Sequence, residues 1–142
     1  MPSFAITAAD LIANGPILQV FVGPSREIIS AFGSAAVAPA VSVSALIDTG
    51  AESTVLNPET AGRLAVRSVG AVTIHTPTTS EPVMCRQFHV NVYFSHEFAV
   101  ENVLAIEAPF SGRPFQCLIG RDILSRATLI YDGRAQHFSL SF

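Results

Sequence analysis

The sequence predicts an all-β domain with short helices, and three observations carry that expectation. Apolar runs of strand length recur along the chain, and VSVSALI (41–47) alternates with period two before ending fully apolar. Turn residues separate these runs, among them the two prolines of TPTTSEP (76–82) and the Asp132-Gly133 pair. Segments with helix start and stop signals are few and brief. A chain of 142 residues has the length of one domain, spanning 1–142.

Taken in order, ILQVFV (17–22) is expected as a strand. PSREIISAFG (24–33) follows as a short helix, with Ser25 as its cap, Glu27 in the positive first turn and Gly33 as its stop. AVAPA (36–40) connects to the strand VSVSALI. NPETAGRLA (57–65) has Asn57 as cap and Pro58 at the first helical position, so one or two helical turns are expected. AVTIH (71–75) and VMCRQFHVNVYF (83–94) flank TPTTSEP as the arms of a long hairpin. FAVENVLAI (98–106) is a further strand, and EAPFSGRPF (107–115) a Pro/Gly loop. QCLI (116–119) is a strand and GRDILSRA (120–127) a helical turn or two. TLIYDGRAQHFSL (128–140) forms two strands joined at Asp132-Gly133.

Composition narrows the function. All eight cations are arginine, the net charge is −3 and no basic cluster appears, which argues against a nucleic-acid partner. No apolar run reaches the roughly 18–20 residues of a membrane span. The N-terminal MPSFAITAADLIANG lacks a basic stretch ahead of an apolar one, and Asp10 interrupts it, so no secretory signal is read and a cytoplasmic location is expected. Cys85 and Cys117 make no CxxC and are expected as buried free thiols in a reducing compartment. His75, His89, His96 and His137 are scattered without ligand spacing, and neither metal nor cofactor is expected. Only 13% of residues are charged, about half the usual share, while 49% are hydrophobic. Either a compact core or a surface buried against a partner accounts for this.

The stretch ALIDTGAESTVL (45–56) places a carboxylate at the end of an apolar strand, a costly position unless donors surround it. Thr49 supplies a hydroxyl and Gly50 allows a tight turn with close backbone approach. An Asx-type turn capping a strand would look the same locally. CLIGRDIL (117–124) repeats the pattern of apolar pair, glycine and charge.

Together, ALIDTGAESTVL and LIGRDIL resemble the catalytic loop and the C-terminal apolar-apolar-Gly-Arg-Asp/Asn segment of the retropepsin-like aspartic peptidases, the family of the retroviral proteases. The resemblance spans most of residues 15–131 and is closest to small bacterial members with one DTG motif per chain. It implies an acid-protease β-barrel, one lobe per chain. Asp48 matches the catalytic aspartate, Thr49 the threonine bracing two catalytic loops across a dimer, and Gly50 the glycine whose carbonyl faces substrate. Ala51 and Glu52 match positions lining the cleft, and Arg121 an arginine that pairs with the acid at 52. VMCRQFHVNV sits where the family has the second arm of its flap. The tip here, with Thr76, Pro77, Thr78, Thr79 and Ser80, has no glycine; its hydroxyls are expected to meet substrate backbone, ordering the tip over a bound peptide. The chain departs from the retroviral pattern in the 24–33 helix, in the last eleven residues, and at Gly15, where the retroviral chain has an intersubunit arginine.

Amide hydrolysis by this chemistry needs two carboxyls sharing one proton and one water. Of Asp10, Asp48, Asp122 and Asp132, only Asp48 sits in a suitable loop; Asp122 is expected to cap the short helix. The second carboxyl must therefore come from a second copy across a two-fold axis. The expected protein is a homodimeric aspartic endopeptidase acting on peptide or protein substrates, with apolar sub-sites built from Ala51, Val55, Ile119 and the flap. The C-terminal strands, with Phe138, Leu140 and Phe142 on one face, are its expected interface, although the same face suits an ordinary core hairpin. The alternative is a non-catalytic dimerisation or peptide-binding module on the same fold. Serine and zinc hydrolases are excluded by the absence of GxSxG and HExxH.

Overall fold

Alternation along the strand Val41–Ile47 sends Val41, Val43, Ala45 and Ile47 inward, where each is buried. Neighbouring strands repeat the device, and the result is a closed sheet. The computed structural model describes residues 1–25, 40–75, 80–110 and 112–142. Among them the strands are β1 (Ser3–Thr7), β2 (Ile17–Pro24), β3 (Val41–Ile47), β4 (Val55–Leu56), β5 (Gly70–Ile74), β6 (Val83–Tyr93), β7 (Ala99–Glu107), β8 (Cys117–Ile119), β9 (Thr128–Asp132) and β10 (His137–Ser141). The short helices are α1 (Leu11–Asn14), α2 (Pro58–Arg63) and α3 (Arg121–Leu124). The architecture is mostly β, as the sequence predicts.

Strands β2-β3-β8-β4-β7-β6 lie side by side, and pairing of β2 with β6 closes them into a six-stranded barrel. Closure removes the free edges of those strands. Its interior is filled by Val20, Val22, Ala45, Val90, Ala105 and Ile119, among others. The chain leaves β3, crosses over β8 and returns as β4, so β8 runs parallel to β3 and antiparallel to β4. That crossing places residues 48–54 directly over the end of β8.

Asn57 caps α2 as expected, its carboxamide oxygen accepting from the Thr60 N–H at 2.9 Å. The arms of the 71–94 hairpin also pair as expected, with Val72 opposite Cys85 and Ile74 opposite Val83. The tip residues Thr76, Pro77, Thr78 and Thr79 lie outside the described residues, as does nearly all of the expected 24–33 helix. Ser80 is exposed.

Two elements near the N-terminus escape the sequence reading. Asp10 does not merely interrupt an apolar run: it is the cap of α1, accepting from the Ala13 N–H at 3.0 Å. The strand β1 adds to β10, giving a second sheet of order β1-β10-β9. The expected Asp132-Gly133 turn is a four-residue connection, 133–136, in which the Asp132 carboxylate accepts from the N–H groups of Arg134 and Ala135.

This second sheet corrects the expected interface. Phe138 and Leu140 are fully buried within the single chain, turned onto the barrel with Phe4 and Ile6 beside them. Phe142 packs its ring on Phe98 and Phe94, with centroids 4.8 and 5.0 Å apart. The pairing of β1 with β10 makes the apolar face of this hairpin part of the core. The opposite face carries Ser3, Thr7 and Ile130, all exposed.

Candidate active site

Asp48 ends β3, and the β3–β8 register explains the fully apolar close of that strand. Ala45 and Ile47 pair with Cys117 and Ile119, all buried in the core. Leu46 and Leu118 pair on the opposite face and together line a cleft. The strand end thus has apolar surroundings on both sides.

The loop after Asp48 is fixed by hydrogen bonds to β8 and α3. The Asp48 N–H donates to the Ile119 carbonyl at 3.0 Å, and the Asp48 Oδ1 accepts from the Gly50 N–H at 2.9 Å. This Asx-type bond leaves the second carboxylate oxygen available to a ligand. The Ala51 and Glu52 carbonyls accept from the N–H groups of Arg121 and Asp122 at 2.8 and 3.2 Å. The start of α3 is thereby tied to the far half of the loop.

Arg121 does not pair with the Glu52 carboxylate, as the sequence leads one to expect. Its Nη1 donates to the Thr49 carbonyl at 2.9 Å. Glu52 faces solvent, where an ion pair gains little, while the Thr49 carbonyl lies within reach of the guanidinium. Arg121 is tied to the Asp48 loop through this backbone carbonyl. Asp122 lies inside the first turn of α3 and not at the cap position, which is Gly120, yet its Oδ1 accepts from the Ile123 N–H at 2.9 Å, so it serves a free N–H of the helix start as expected. The same carboxylate also accepts from the Thr54 N–H at 2.9 Å and the Thr54 hydroxyl at 2.8 Å. The Thr54 oxygen in turn accepts from the Gly120 N–H at 3.2 Å. Thr54 is completely buried, so this brace is screened from water.

The cleft at Asp48 has a volume of about 490 Å³. It is lined by Leu46, Asp48 and Leu118 from β3 and β8, by Pro109, Phe110, Arg113 and Phe115, and by Ala13, Asn14 and Gly15. A volume of this size suits a few side chains of a peptide. Gly50, Ala51 and Glu52 follow in the same loop but do not line it. Of the expected sub-site residues, Ile119 is fully buried in the core and contributes nothing to the cleft. Pro109, Phe110, Arg113 and Phe115, from the segment expected as a Pro/Gly loop, also line it. The segment's alternation of Phe and Pro around Gly112-Arg113 is the signal that could have marked it as a lining rather than a link.

A strand-end Asp-Thr-Gly loop braced by a Gly-Arg-Asp helix start, on a closed six-stranded barrel, defines the aspartic-protease class of site. Residues 37–126 match the family described as gag-polyprotein putative aspartyl protease, and the chain belongs to that family. No curated protein sequence matches the chain. Among solved structures, it is similar to a retropepsin-like aspartic protease from Rickettsia conorii, at 14% identity and a TM-score of 0.59, covering 99% of this chain and 91% of that one. The retroviral protease-like domain of Ddi1 from Leishmania major is also similar, at 18% identity and a TM-score of 0.44, with 82% and 81% covered. The Rickettsia match shows the retropepsin-like fold.

Proposed function

We propose that the chain is a homodimeric aspartic endopeptidase. The observation that carries this reading is the Asp48 carboxylate, held by the Gly50 N–H at 2.9 Å and lining an apolar-walled cleft. One chain supplies one such group. Two copies about a two-fold axis supply a pair of carboxyls able to share one proton.

In the proposed reaction the ionised carboxyl takes a proton from a water, whose oxygen adds to the peptide carbonyl carbon. The protonated carboxyl gives its proton to the carbonyl oxygen. The carboxyl that took the water's proton then passes it to the amide nitrogen, the gem-diol returns a proton to the other carboxyl, and the C–N bond breaks to release an amine and a carboxylic acid. Thr49 braces the two loops across the dimer, and Gly50, Ala51 and Glu52, which lie outside the single-chain cleft, meet the extended peptide where the two copies come together. The strands β5 and β6 serve as the arms of a flap. Two buried thiols, Cys85 and Cys117, fit a reducing compartment such as the cytoplasm.

The test is a cleavage assay on a mixed peptide library across roughly pH 3 to 7, with and without a statine-type inhibitor. Inhibitor-sensitive cleavage is expected, and Asp48→Asn is expected to abolish it while leaving the fold intact. Turnover by Asp48→Asn above a few per cent of wild type would sink the mechanism. Peptide binding without cleavage would favour a binding module.

A further inference from the structure

We infer that the cleft selects peptides in which an acidic side chain lies close to an apolar one, and that Arg113 is the specificity-determining residue. This rests on the reading of the cleft as a peptide site, and it names the class of peptide.

The cleft contains two formal charges, Asp48 and Arg113; its other lining residues are uncharged. Leu46, Leu118, Phe110 and Phe115 give it apolar walls that suit an apolar side chain. Arg113 is exposed at that wall, and its guanidinium meets no carboxylate among the described residues. Two other arginines are engaged: Arg86 forks onto Glu107 at 2.8 and 2.9 Å, and Arg121 donates to Thr49. Arg113 therefore keeps its full fork of donors for something that enters the cleft. Nor does it bond Asp48, so it acts on the peptide rather than on the catalytic carboxyl.

Contacts lie on both sides of Arg113 in the chain. The Arg113 N–H closes a turn onto the Phe110 carbonyl at 3.2 Å, and Gly112 takes the left-handed φ of 69° within it. Pro114 fixes the next φ. Phe115 is then buried, and its ring packs on Phe110 at 5.4 Å between centroids. A planar fork beside apolar walls recognises a carboxylate better than it would in open water.

The experiment uses fluorescent octapeptides built around a central Leu-Phe pair, with Glu, Gln or Lys placed in turn at each outer position. They are assayed near pH 6, where Glu is ionised. At one or two positions wild type is expected to favour Glu over Lys by about tenfold in kcat/KM, the equivalent of about 1.4 kcal/mol. Added salt should shrink the ratio. Arg113→Ala should level the series, and Arg113→Glu should invert it, each read as the Glu-to-Lys ratio of kcat/KM within one variant. Anisotropy binding of the same peptides to the Asp48→Asn chain gives an independent readout, with the same Glu-over-Lys order expected. Cleavage or binding without charge preference overturns the Arg113 proposal and leaves the peptidase reading standing. No cleavage, but charge-selective binding by both chains, overturns the peptidase reading and supports the role of Arg113. Loss of the dimer in Arg113→Ala, seen by sedimentation, would assign the residue to the interface and overturn the proposal.

Discussion

The Asp122 carboxylate holds Thr54 twice, one oxygen on its N–H at 2.9 Å and the other on its hydroxyl at 2.8 Å. These residues lie 68 positions apart, at the end of the catalytic loop and at the start of α3. The same hydroxyl oxygen receives the Gly120 N–H, so one threonine links the loop, the end of β8 and the helix.

Thr54→Val is expected to destabilise the chain by about 2–4 kcal/mol, because it removes two hydrogen bonds and leaves the buried Gly120 N–H without a partner. Thr54→Ser keeps the hydroxyl and should cost about 1 kcal/mol or less, the loss of a methyl group. Urea denaturation of the three proteins measures the difference. Equal losses in the two variants would show that the hydroxyl is not the brace.

At Gly120 the argument is steric. A Cβ built there would lie 2.4 Å from the Ser53 carbonyl carbon and 2.5 Å from its oxygen. Both are backbone atoms of the loop that follows Asp48, which cannot move aside as a side-chain end can. Gly120→Ala should therefore push the loop off β8, with a loss of about 2–4 kcal/mol. A thermal midpoint within a few degrees of wild type would mean that the loop yields more easily than this packing implies.

Which parts of this were legible in the sequence follows from how local each signal is. Asp48 could be found because an apolar strand running into Asp-Thr-Gly is unusual within a dozen residues. The caps of α2 and the arms β5 and β6 were legible for the same reason. The Asp122–Thr54 brace was not, since neither residue is distinctive alone and their meeting depends on β8 passing between β3 and β4. The strand SFAIT at 3–7 is short and shows its character only through pairing with His137–Ser141, over 130 positions away. That pairing also decides whether Phe138 and Leu140 face the core or a partner. The partner of Arg121 was misjudged because charge matching favours Glu52, while the geometry offers a backbone carbonyl.

Arg121→Ala is expected to lower kcat/KM by about tenfold while costing no more than about 1 kcal/mol of stability. The lost bond to Thr49 is exposed, but it fixes the residue next to Asp48. Glu52→Gln separates the two possible partners. It should change stability by less than about 0.5 kcal/mol, the ordinary range for an exposed side chain. If Glu52→Gln reproduces the Arg121→Ala defect, the arginine acts through the carboxylate after all.

The last prediction concerns Cys117, which sits on β8 opposite Ala45 and is completely buried. Burial raises its pKa far above the ordinary value of 9.0, and the Asp122 carboxylate raises it further. The sign follows from which state holds the proton. Below pH 9 the thiol is neutral in both folded and unfolded chains, and the full stability is present. Above pH 9 the unfolded chain releases the proton while the folded chain keeps it, so stability falls as pH rises, by up to about 1.4 kcal/mol per unit. Cys85, also raised by burial and then by Glu107, adds a smaller contribution of the same sign. Cys117→Ala should be less stable than wild type near pH 7, because it opens a small cavity, by about 1 kcal/mol. Above pH 9 the gap should narrow, since the variant lacks one of the two titrating thiols while all other groups titrate alike in both proteins. Urea denaturation at half-unit steps between roughly pH 7 and 10.5 measures both curves. A gap that stays constant through this range would show that Cys117 ionises as readily in the folded chain as in the unfolded one, and that β8 is open to water at this position.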